Sequence, residues 1–389
     1  MKRIYLDYNA TTPIHPAVAG EMNKYIYEYF GNPSSGHWYG RKAHEGVEKA
    51  RCRVSVLLGC NPEEIIFTGG GTESNNYVIR GVAETFKNKG NHIITSVIEH
   101  PAVIKPCQYL EKKGYEITYL PVDRYGMVNP DDLKKTIRPS TILITIMHAN
   151  NETGTIQPIK EISRIARSKK ILLHTDAAQS VGKIPAKVNE LGVDFLTIAG
   201  HKLYAPKGVG VLYIKRGIQI QPLILGAGHE NGRRAGTENV IEIAGLGKAC
   251  EIFEKTMLKN SDRIKKLRDR LYEKLMNAGL NIKLNGHLEK RLPNTLNVSF
   301  INVDSNKLLN KIPHIAASTG SACHSNVKEP SCVLTAMGIK HEDAFGAVRF
   351  SLGMWTTEEE INLTIKAIKS AILNDKDIRR FPIIKSSEK

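Results

Sequence analysis

Lys202 is the residue whose surroundings first suggest chemistry. It follows Gly200 and His201 at the end of a short apolar run, and Pro206 and two further glycines come directly after it. Proline and glycine at this density exclude a helix and predict a tight loop. A lysine on such a loop is either an ordinary solvated residue or an amine desolvated enough to form a Schiff base. The rest of the sequence must decide between these two interpretations.

Two other features belong to the chemistry of a Schiff base. Three glycines at positions 69–71, followed by Thr72, join a short apolar stretch to the start of a predicted helix. Free backbone N–H groups and the positive helix end favour a phosphate there, although a flexible turn also explains many glycine runs. Asp176, three residues before Gln179, supplies a carboxylate. A lysine, a carboxylate for a pyridinium nitrogen and a phosphate cradle together suit pyridoxal phosphate (PLP).

Cys323 lies in the stretch of residues 320–325, Gly-Ser-Ala-Cys-His-Ser, which has no apolar periodicity. A lone cysteine is usually an inert small hydrophobe, but a loop of this kind favours exposure and formation of the thiolate. The six cysteines lie far apart without a C-x-x-C pair. In a cytosolic chain this pattern predicts free thiols rather than disulfides, and no metal site.

Alternating strands and helices must position these residues, and this alternation indicates a mostly parallel sheet that is covered on both faces. Ligands of such sheets bind beyond the carboxyl ends of the strands. Titratable or amide side chains follow four of these ends, at residues 99–100, 148–152, 174–179 and 201–202. The predicted strands are 65–67, 92–98, 116–121, 141–147, 171–175, 195–199 and 209–214, and the predicted helices are 40–58, 101–113, 130–138 and 158–169.

The chain changes character after residue 216. Apolar spacing predicts two successive helices, over 240–257 and 261–278. Strands are predicted over 292–300 and 348–352. Thr357 and Glu360 form a capping-box pattern that opens a last helix, to about residue 373.

Length and composition limit the class of protein. The chain has 389 residues, which favours two domains, and an ordinary apolar fraction of 41%. It has no uncharged run of about 18 residues, so we predict no membrane helix. Asp7 interrupts the N-terminus before a signal-peptide core forms, which predicts a cytoplasmic protein.

The net charge of +16 has two interpretations. It fits a nucleic-acid or acidic-protein partner. It also fits a general bias towards lysine, which we favour because the lysines are scattered along the chain. Direct nucleic-acid binding therefore has no further support.

The motifs also carry a family resemblance. The chain resembles the class V aminotransferase-like proteins of fold type I, and among them the cysteine desulfurases of the NifS/IscS kind. The resemblance extends from Tyr5 to about Glu360. The matching segments are residues 6–13, 31–35, 71–75, 150–154, 174–177, 200–202, 234–239 and 320–323.

The resemblance implies an α/β fold with two domains. The large PLP-binding domain, residues 14–257, would contain a mostly parallel seven-stranded sheet flanked by helices. Residues 1–13 and 258–389 would form a smaller α+β domain that carries the loop with the catalytic cysteine.

The resemblance also implies roles for individual residues. Lys202 would bind PLP covalently and move protons, Asp176 would pair with the ring nitrogen, and Gln179 would face the ring hydroxyl. His100 would stack on the ring and act with Lys202 in catalysis. The phosphate would be held by Gly71, Thr72 and His201, together with Thr237 from the partner subunit of a homodimer. The substrate would be held by Asn9, Thr11, Asn151 and Arg349, with Asn151 also beside the cofactor and Arg349 as a bidentate clamp on the carboxylate.

Cysteine desulfurases convert L-cysteine to L-alanine, and the resemblance assigns the sulfur-accepting nucleophile to Cys323. The persulfide formed there would pass to a sulfur-acceptor protein, either an iron–sulfur scaffold or a protein of tRNA or DNA thiolation. The long stretch up to Pro330 resembles that of members with a mobile loop. Cys332 matches no motif position of the family, and we interpret it as structural.

Two other functions remain open from the sequence. Selenocysteine lyases share nearly all these motifs, although residues 100–103 and 233–237 look more like those of the desulfurases. A catalytically silent scaffold of a sulfur-relay complex is the alternative from another class, against which the intact set of Lys202, Asp176, His100 and Cys323 argues.

One residue at the predicted cofactor site departs from the pattern of the family. Ala199 stands where many relatives have a serine that bonds the phosphate. The loss of one hydrogen bond should weaken cofactor binding by about 1 kcal/mol.

Overall fold

The structure is a computed structural model that describes residues 2–319, 321–322, 329–374 and 376–379. The strands, in chain order, are β1 (Ile4–Tyr5), β2 (Ile65–Thr68), β3 (His92–Ser96), β4 (Glu116–Leu120), β5 (Thr141–Thr145), β6 (Leu172–Asp176), β7 (Phe195–Ala199), β8 (Gly210–Ile214), β9 (Ile282–Asn285), β10 (Thr295–Phe300), β11 (Ile315–Ala316), β12 (Ser318–Thr319), β13 (Ser321–Ala322), β14 (Glu329–Pro330) and β15 (Ala347–Ser351).

The α-helices, in chain order, are α1 (Pro16–Tyr27), α2 (Trp38–Leu58), α3 (Gly71–Phe86), α4 (Pro101–Glu111), α5 (Pro130–Thr136), α6 (Ile159–Ser168), α7 (Val188–Leu191), α8 (Val240–Asn277), α9 (Ser305–Lys311), α10 (Cys332–Ala336), α11 (His341–Phe345) and α12 (Glu358–Asn374). Short 3₁₀ turns occupy Pro62–Glu64, Gly200–Lys202, His229–Gly232 and Lys376–Arg379.

The large sheet has seven strands within the described ranges, in the order β2-β8-β7-β6-β5-β3-β4. The five strands from β7 to β4 are parallel to one another, whereas β8 is antiparallel to both of its neighbours. Apolar side chains of α2, α6 and α8 cover one face, and those of α3 and α4 cover the other. Strands β3, β5 and β7 are buried along their whole length, as expected for parallel strands between two layers of helices.

This architecture confirms the predicted α/β fold with a mostly parallel seven-stranded sheet. The predicted strands from β3 to β8 end or begin within two residues of the observed positions. Because β3, β5, β6 and β7 are parallel, their carboxyl ends meet at one edge of the sheet, which is the edge where the sequence predicts the site.

The N-terminal segment, residues 8–12, crosses this edge. The backbone N–H of Thr12 donates to the carbonyl of His201 at 2.9 Å, and that of Tyr8 donates to the carbonyl of Ser351 at 3.2 Å. The segment therefore links the loop of Lys202 to β15 of the second sheet.

Helix α8 corrects one prediction. The two helices predicted over 240–257 and 261–278 are one continuous helix of 38 residues. Asn260 and Ser261 have low helix propensity, but their polar groups are satisfied within the fold. Asn260 Nδ2 donates to Thr256 Oγ1, and Ser261 Oγ donates to the backbone carbonyl of Lys183. The predicted domain boundary at residue 257 falls inside this helix, and the division into two domains stays a prediction.

A second, antiparallel sheet has the order β12-β15-β10-β9. Its core joins side chains of α8, β10, β15 and α12, such as Leu271, Val298, Phe350 and Ile368. The predicted capping box at the start of α12 is confirmed, because Glu360 N donates to Thr357 Oγ1 and Thr357 N donates to Glu360 Oε2. In the described ranges, no helix combines the length and the apolar character that crossing a membrane requires.

Candidate active site

A cavity of about 240 Å³ lies at the edge of the large sheet where the parallel strands end. Eight of the residues predicted to bind the cofactor or to act in catalysis line it. They are Gly71, Thr72, His100, Asn151, Asp176, Gln179, His201 and Lys202. The structure thus brings together residues from four strand ends and from the start of α3.

Lys202 ends the 3₁₀ turn that follows β7. This turn needs glycine at position 200, because a Cβ there would lie 2.8 Å from the backbone oxygen of Val209. Lys202 Nζ donates to the backbone carbonyl of Asn9 at 3.0 Å. Burial lowers the pKa of Lys202 to about 8, an effect that Asp176 opposes and Arg349 reinforces. The amine is therefore desolvated, which decides against the interpretation of an ordinary solvated lysine.

Asp176 is the last residue of β6 and presents its carboxylate to the same cavity. One oxygen accepts from Asn75 Nδ2 at 2.7 Å, and the other accepts from the backbone N–H of Ala178 at 2.9 Å. The amide oxygen of Asn75 is buried without a partner in the described part of the chain. These two donors fix the direction of the carboxylate.

The start of α3 forms a cradle at one end of the cavity. Gly70 precedes the helix with a φ of 139°, and no side chain caps the first turn. A Cβ at Gly71 would lie 3.3 Å from Ala199 Cβ, so a side chain there would crowd the floor of the cradle. The N-terminus of a 16-residue helix beside Thr72 has the N–H groups and the dipole that bind a phosphate.

His201 and Thr11 lie beside each other, with 3.2 Å between His201 Nδ1 and Thr11 Oγ1. Burial lowers the pKa of His201 to about 4, and Lys202, Lys207 and Lys183 lower it further by charge repulsion. The imidazole is therefore neutral at neutral pH. It can donate one hydrogen bond, and it brings no charge to the site.

His100 is the N-cap of α4, and its Nδ1 accepts from the backbone N–H of Ala102 at 3.1 Å. This bond places the proton of the neutral ring on Nε2. Burial lowers the pKa of His100, whereas the carboxylate of Asp176 raises it and Lys202 lowers it. The preceding residue, Glu99, anchors the turn from inside, with one carboxyl oxygen 2.6 Å from Ser96 Oγ. Burial raises the pKa of Glu99 to about 8.

Arg349 lies on β15 and is already engaged by other groups. One Nη donates to the backbone carbonyl of Asn151 at 3.1 Å, and the other donates to Asp7 Oδ1 at 2.7 Å and to Ser318 Oγ at 2.9 Å. Its Nε is buried without a partner among the described residues. The predicted carboxylate clamp is therefore held in place by Asp7, a residue to which the sequence analysis gave no role.

Asn9 connects the two sides of the site. Its backbone carbonyl accepts from Lys202 Nζ and from Gln179 Nε2, each at 3.0 Å. Its side-chain Nδ2 donates to the carbonyl of Asn151 at 3.1 Å. This residue was predicted to contact the substrate, and in the structure its polar groups orient the predicted catalytic lysine and its neighbours.

Thr237 is the predicted cofactor ligand that lies outside this cavity. It lines a separate cavity with Gly69, Arg234 and Gly236. Arg234 holds that loop against α3, since its Nε donates to Glu73 Oε1 at 2.9 Å. The separation agrees with the expectation that Thr237 acts on the site of a partner subunit, which stays a prediction.

The comparisons with known proteins identify the family. The family described as aminotransferase class-V matches residues 4–363 of the chain. The chain belongs to this family. The resemblance found in the sequence is therefore confirmed.

Relatives named as cysteine desulfurases or NifS-like proteins match nearly the whole length of the chain. The chain is 51% identical over 375 residues to cysteine desulfurase IscS of Dictyoglomus turgidum. The matched region spans 96% of this chain and 95% of that protein. The solved structure of a NifS-like protein is 42% identical, with a TM-score of 0.90 and coverage of 95% and 99%. A structure of SspA in complex with cysteine is 37% identical, with a TM-score of 0.80 and coverage of 91% and 100%.

Cys323 and its neighbours His324 and Ser325 lie outside the described residues. Both flanks of this segment are fixed close to Arg349 and Asn151. On one side, Ser318 pairs with Arg349 in the sheet and its Oγ donates to Asp7 Oδ1. On the other side, Ser331 Oγ donates to Glu152 Oε2, beside Asn151. The chain thus leaves and rejoins the described structure next to the predicted substrate site.

Cys332 was interpreted as structural. Its side chain is exposed, at the first position of α10. Its exposure means that it is not part of a core. The five described cysteines, at positions 52, 60, 107, 250 and 332, are free thiols.

The sequence analysis missed three residues that contact the predicted site residues. Asn75 holds Asp176, Asp7 holds Arg349, and Lys183 bonds to Gln179. Asn75 and Asp7 both lie inside segments that matched the family, where attention to polar residues would have found them. Lys183 stands four residues after Gln179, and only this spacing signals it.

Proposed function

We propose that this protein is a PLP-dependent cysteine desulfurase, which converts L-cysteine to L-alanine and takes the sulfur onto Cys323. The observation that carries the PLP chemistry of this function is a set of three groups that share one cavity. There the Lys202 amine, with a pKa of about 8, shares the space with the Asp176 carboxylate and the open N-terminus of α3. The names of the relatives that match along the whole chain support the same reaction.

The residues of the cavity fit PLP by their chemistry. The cradle at Gly71 and Thr72 presents the start of α3, whose N-cap Gly70 has no side chain to cap it, and Ala199 supplies no serine hydroxyl there. Asp176 offers a carboxylate to a pyridinium nitrogen, and the neutral His201 offers a donor without charge. Bound PLP supplies an electron sink for the carbanion at the substrate Cα.

Lys202 and His100 are the groups that would move protons. In its neutral form, Lys202 Nζ can take the proton from the substrate Cα and later return a proton, because burial keeps its pKa near neutrality. The His100 ring, protonated on Nε2, lines the same cavity and can hold or donate a proton there.

The substrate carboxylate would bind at Arg349 and Asn151, and Asn9 and Thr11 would complete the substrate site. Asp7 and Ser318 hold the guanidinium group in its orientation beside Asn151. A solved relative carries cysteine in its structure, which supports L-cysteine as the substrate here.

Cys323 would act as the nucleophile on sulfur. Its thiolate forms a bond to the substrate sulfur while the Cβ–S bond breaks, and the electron pair of that bond goes to the substrate carbon. Protonation of that carbon gives alanine, and the sulfur stays on Cys323 as a persulfide.

The working protein would be a homodimer, in which Thr237 reaches the phosphate of the partner subunit. An aromatic patch formed by Phe30, Trp38 and Tyr39 supports an interface between two copies. The Tyr39 ring contacts the rings of Phe30 and Trp38, with centroids 5.1 and 5.0 Å apart, and all three side chains are exposed. Exposed aromatic clusters of this kind mark association surfaces.

The persulfide would pass to an acceptor protein, of the iron–sulfur scaffold or nucleic-acid-thiolation kind. The net charge of +16 does not choose between them. The cytoplasmic location predicted from the sequence stays a prediction.

Turnover of L-cysteine tests the proposal directly. The purified protein is incubated with PLP, a thiol reductant and either L-cysteine or L-selenocysteine, and alanine is measured with sulfide or selenide. We expect alanine and sulfide in equal amounts from cysteine, and neither product with Lys202→Ala. Activity with selenocysteine alone would favour the lyase, and no activity with either substrate would favour the scaffold.

A further inference from the structure

A second lysine lies beside the candidate site without a carboxylate partner in the described part of the chain. Lys183 Nζ donates to Gln179 Oε1 at 2.9 Å and to Asn9 Oδ1 at 3.3 Å. Burial lowers its pKa well below the usual value, and Lys202 and Arg349 lower it further. A buried amine normally has a high cost unless it is paired. The proposed reaction does not use the amine of Lys183.

The backbone carbonyl of Asn9 and the amine of Lys183 together fix which way the Gln179 amide faces. A side-chain amide has an acceptor side and a donor side. The backbone carbonyl of Asn9 can only accept, so the group that meets it at 3.0 Å must be Gln179 Nε2. Lys183 donates to the other end, Oε1. Both partners therefore require the same orientation of the amide.

The remaining N–H of Gln179 has no partner assigned by these contacts. Gln179 lines the cavity beside Asp176 and Lys202, and it is 4% exposed. Its second N–H is thus available to an acceptor in the cavity, and a flipped amide would present an oxygen there instead.

Lys183 also restrains Asn9. The side-chain Oδ1 of Asn9 accepts from Lys183 and from Asn294 Nδ2, the latter at 2.9 Å. The backbone carbonyl of Asn9 in turn orients Lys202. One amine therefore ties Gln179 to the N-terminal segment that crosses the site.

We propose that Lys183 is a positioning residue, which holds the Gln179 side chain with its N–H side towards the cofactor. This inference rests on the proposed function, because it needs bound PLP. The acceptor is the oxygen substituent of the cofactor ring, for which an N–H donor favours the charged form. Loss of Lys183 leaves the Asn9 carbonyl as the remaining restraint among these contacts, which loosens the amide and weakens that donation.

The charged and titratable groups around Lys183 are few. Lys183 also lines a second, small cavity. The titratable side chains that share this cavity are Lys202, Tyr8 and Tyr204, and α8 contributes Asn260, Ser261 and Ile264. Arg349 lowers the pKa of Lys183 by charge repulsion, and Lys183 in turn lowers the pKa of His201. A change in the charge of Lys183 could itself alter titrations in the site, so the test must separate its charge from its hydrogen bond.

The test is a double-substitution cycle on the PLP-loaded protein, read by the absorbance of the bound cofactor during a pH titration. Lys183→Met should raise the midpoint of this titration by roughly half to one pH unit, the effect of one lost hydrogen bond. Gln179→Met should raise it by at least as much. Adding Lys183→Met to Gln179→Met should cause no further shift, because the amide through which Lys183 acts is gone.

Equal shifts from Lys183→Met in both backgrounds would overturn the inference, since they would show a direct effect of charge. The absence of a shift from Lys183→Met alone would also overturn it. Lys183→Gln, which keeps an N–H donor, should restore the midpoint at least partly. Thermal unfolding checks that each variant is folded, and we expect Lys183→Met to melt at a lower temperature than Lys183→Gln, because it leaves buried Gln179 Oε1 without this donor.

The unsubstituted protein separates this inference from the proposed function. If it binds PLP and desulfurates cysteine while the cycle is additive, only the role of Lys183 fails. If it shows no absorbance of bound cofactor, the proposed function and this inference fail together.

Discussion

At the scale of single residues, the site depends on how burial tunes one amine. The Lys202 amine has its pKa lowered to about 8 chiefly by desolvation, and the neighbouring charges of Asp176 and Arg349 act in opposite directions. The backbone carbonyl of Asn9 orients it without neutralising it. A lysine in this state is a nucleophile and a base near neutral pH, which an exposed lysine is not.

This tuning predicts the pH dependence of cofactor uptake. Only the neutral amine attacks an aldehyde, and a lowered pKa means that this form prevails above about pH 8. The rate at which PLP becomes covalently attached to the cofactor-free protein should therefore rise as the pH increases through about 8. Stopped-flow absorbance over a pH series measures it. A rise centred near the ordinary lysine value of 10.5 would contradict the burial of the amine.

Two substitutions should shift the pH midpoint of PLP attachment in opposite directions. Asp176→Asn removes a charge that raises the pKa of Lys202, so the midpoint should fall. Arg349→Gln removes a charge that lowers it, so the midpoint should rise. Shifts in the same direction would show that neither charge acts as described.

The residue types of the site were predictable from the sequence, whereas their mutual contacts were not. Lys202, Asp176 and His100 follow strand ends, and local patterns reveal such positions. The ion pair of Arg349 with Asp7 joins residues 342 positions apart. It depends on the N-terminal segment crossing the sheet edge, which no local pattern indicates.

At the scale of elements, β7 and α3 shape the phosphate cradle together. The end of β7 places Ala199 under the first turn of α3, where its Cβ would lie 3.3 Å from a Cβ at Gly71. Because neither Gly71 nor Ala199 has a large side chain, the backbone N–H groups of α3 stay accessible to a phosphate. Alanine at position 199 supplies no hydroxyl.

Restoring that hydroxyl should strengthen cofactor binding. Ala199→Ser adds one donor at the cradle, worth about 1 kcal/mol, or roughly a fivefold lower Kd for PLP. Titration of the cofactor-free protein with PLP, followed by fluorescence, measures it. Ser180→Ala, in a buried hydroxyl that bonds to His148 instead, is a matched control and should leave the Kd unchanged. An unchanged Kd for Ala199→Ser would mean that the phosphate lies elsewhere.

Helix α8 shows where element prediction failed. Two helices were predicted over 240–257 and 261–278, but tertiary packing along both halves of the single helix outweighs the low propensity of Asn260 and Ser261. The strands were more predictable, because their apolar runs are bounded by glycine, proline and polar residues.

Proline at position 258 tests the continuity of α8. Leu258 is 68% exposed near the predicted break. Leu258→Pro should destabilise the protein by about 3 kcal/mol, because it removes a helix hydrogen bond and clashes with the preceding turn. Urea unfolding followed by circular dichroism measures this loss. Leu258→Ala should stay within about 0.5 kcal/mol, and tolerance of proline would indicate two separate helices.

At the scale of the whole molecule, two features of a single copy have no role in that copy's own proposed site. Thr237 lies in a cavity of its own, and the aromatic patch is exposed. Both features are explained if two copies associate and each supplies Thr237 to the other.

A charge in the aromatic patch should separate the copies. Phe30 is 66% exposed, and Phe30→Glu should yield a monomer at concentrations where the unsubstituted protein is a dimer. Its affinity for PLP should fall as well, because the partner's contribution to the phosphate site is lost. Sedimentation velocity and PLP titration measure the two effects. Leu288→Glu, at another exposed apolar residue, should change neither. A dimer that survives Phe30→Glu would place the interface elsewhere.

The fate of the sulfur atom tests most directly whether Cys323 accepts the sulfur of L-cysteine. The PLP-loaded protein is mixed with L-cysteine without reductant, quenched, alkylated and digested, and the peptides are measured by mass spectrometry. We expect one additional sulfur atom on the peptide of Cys323, alanine in equal amount, and no extra sulfur on the peptide of Cys332 after Cys323→Ala. Alanine production at an unchanged rate in Cys323→Ala, or a persulfide confined to another cysteine, would contradict the account.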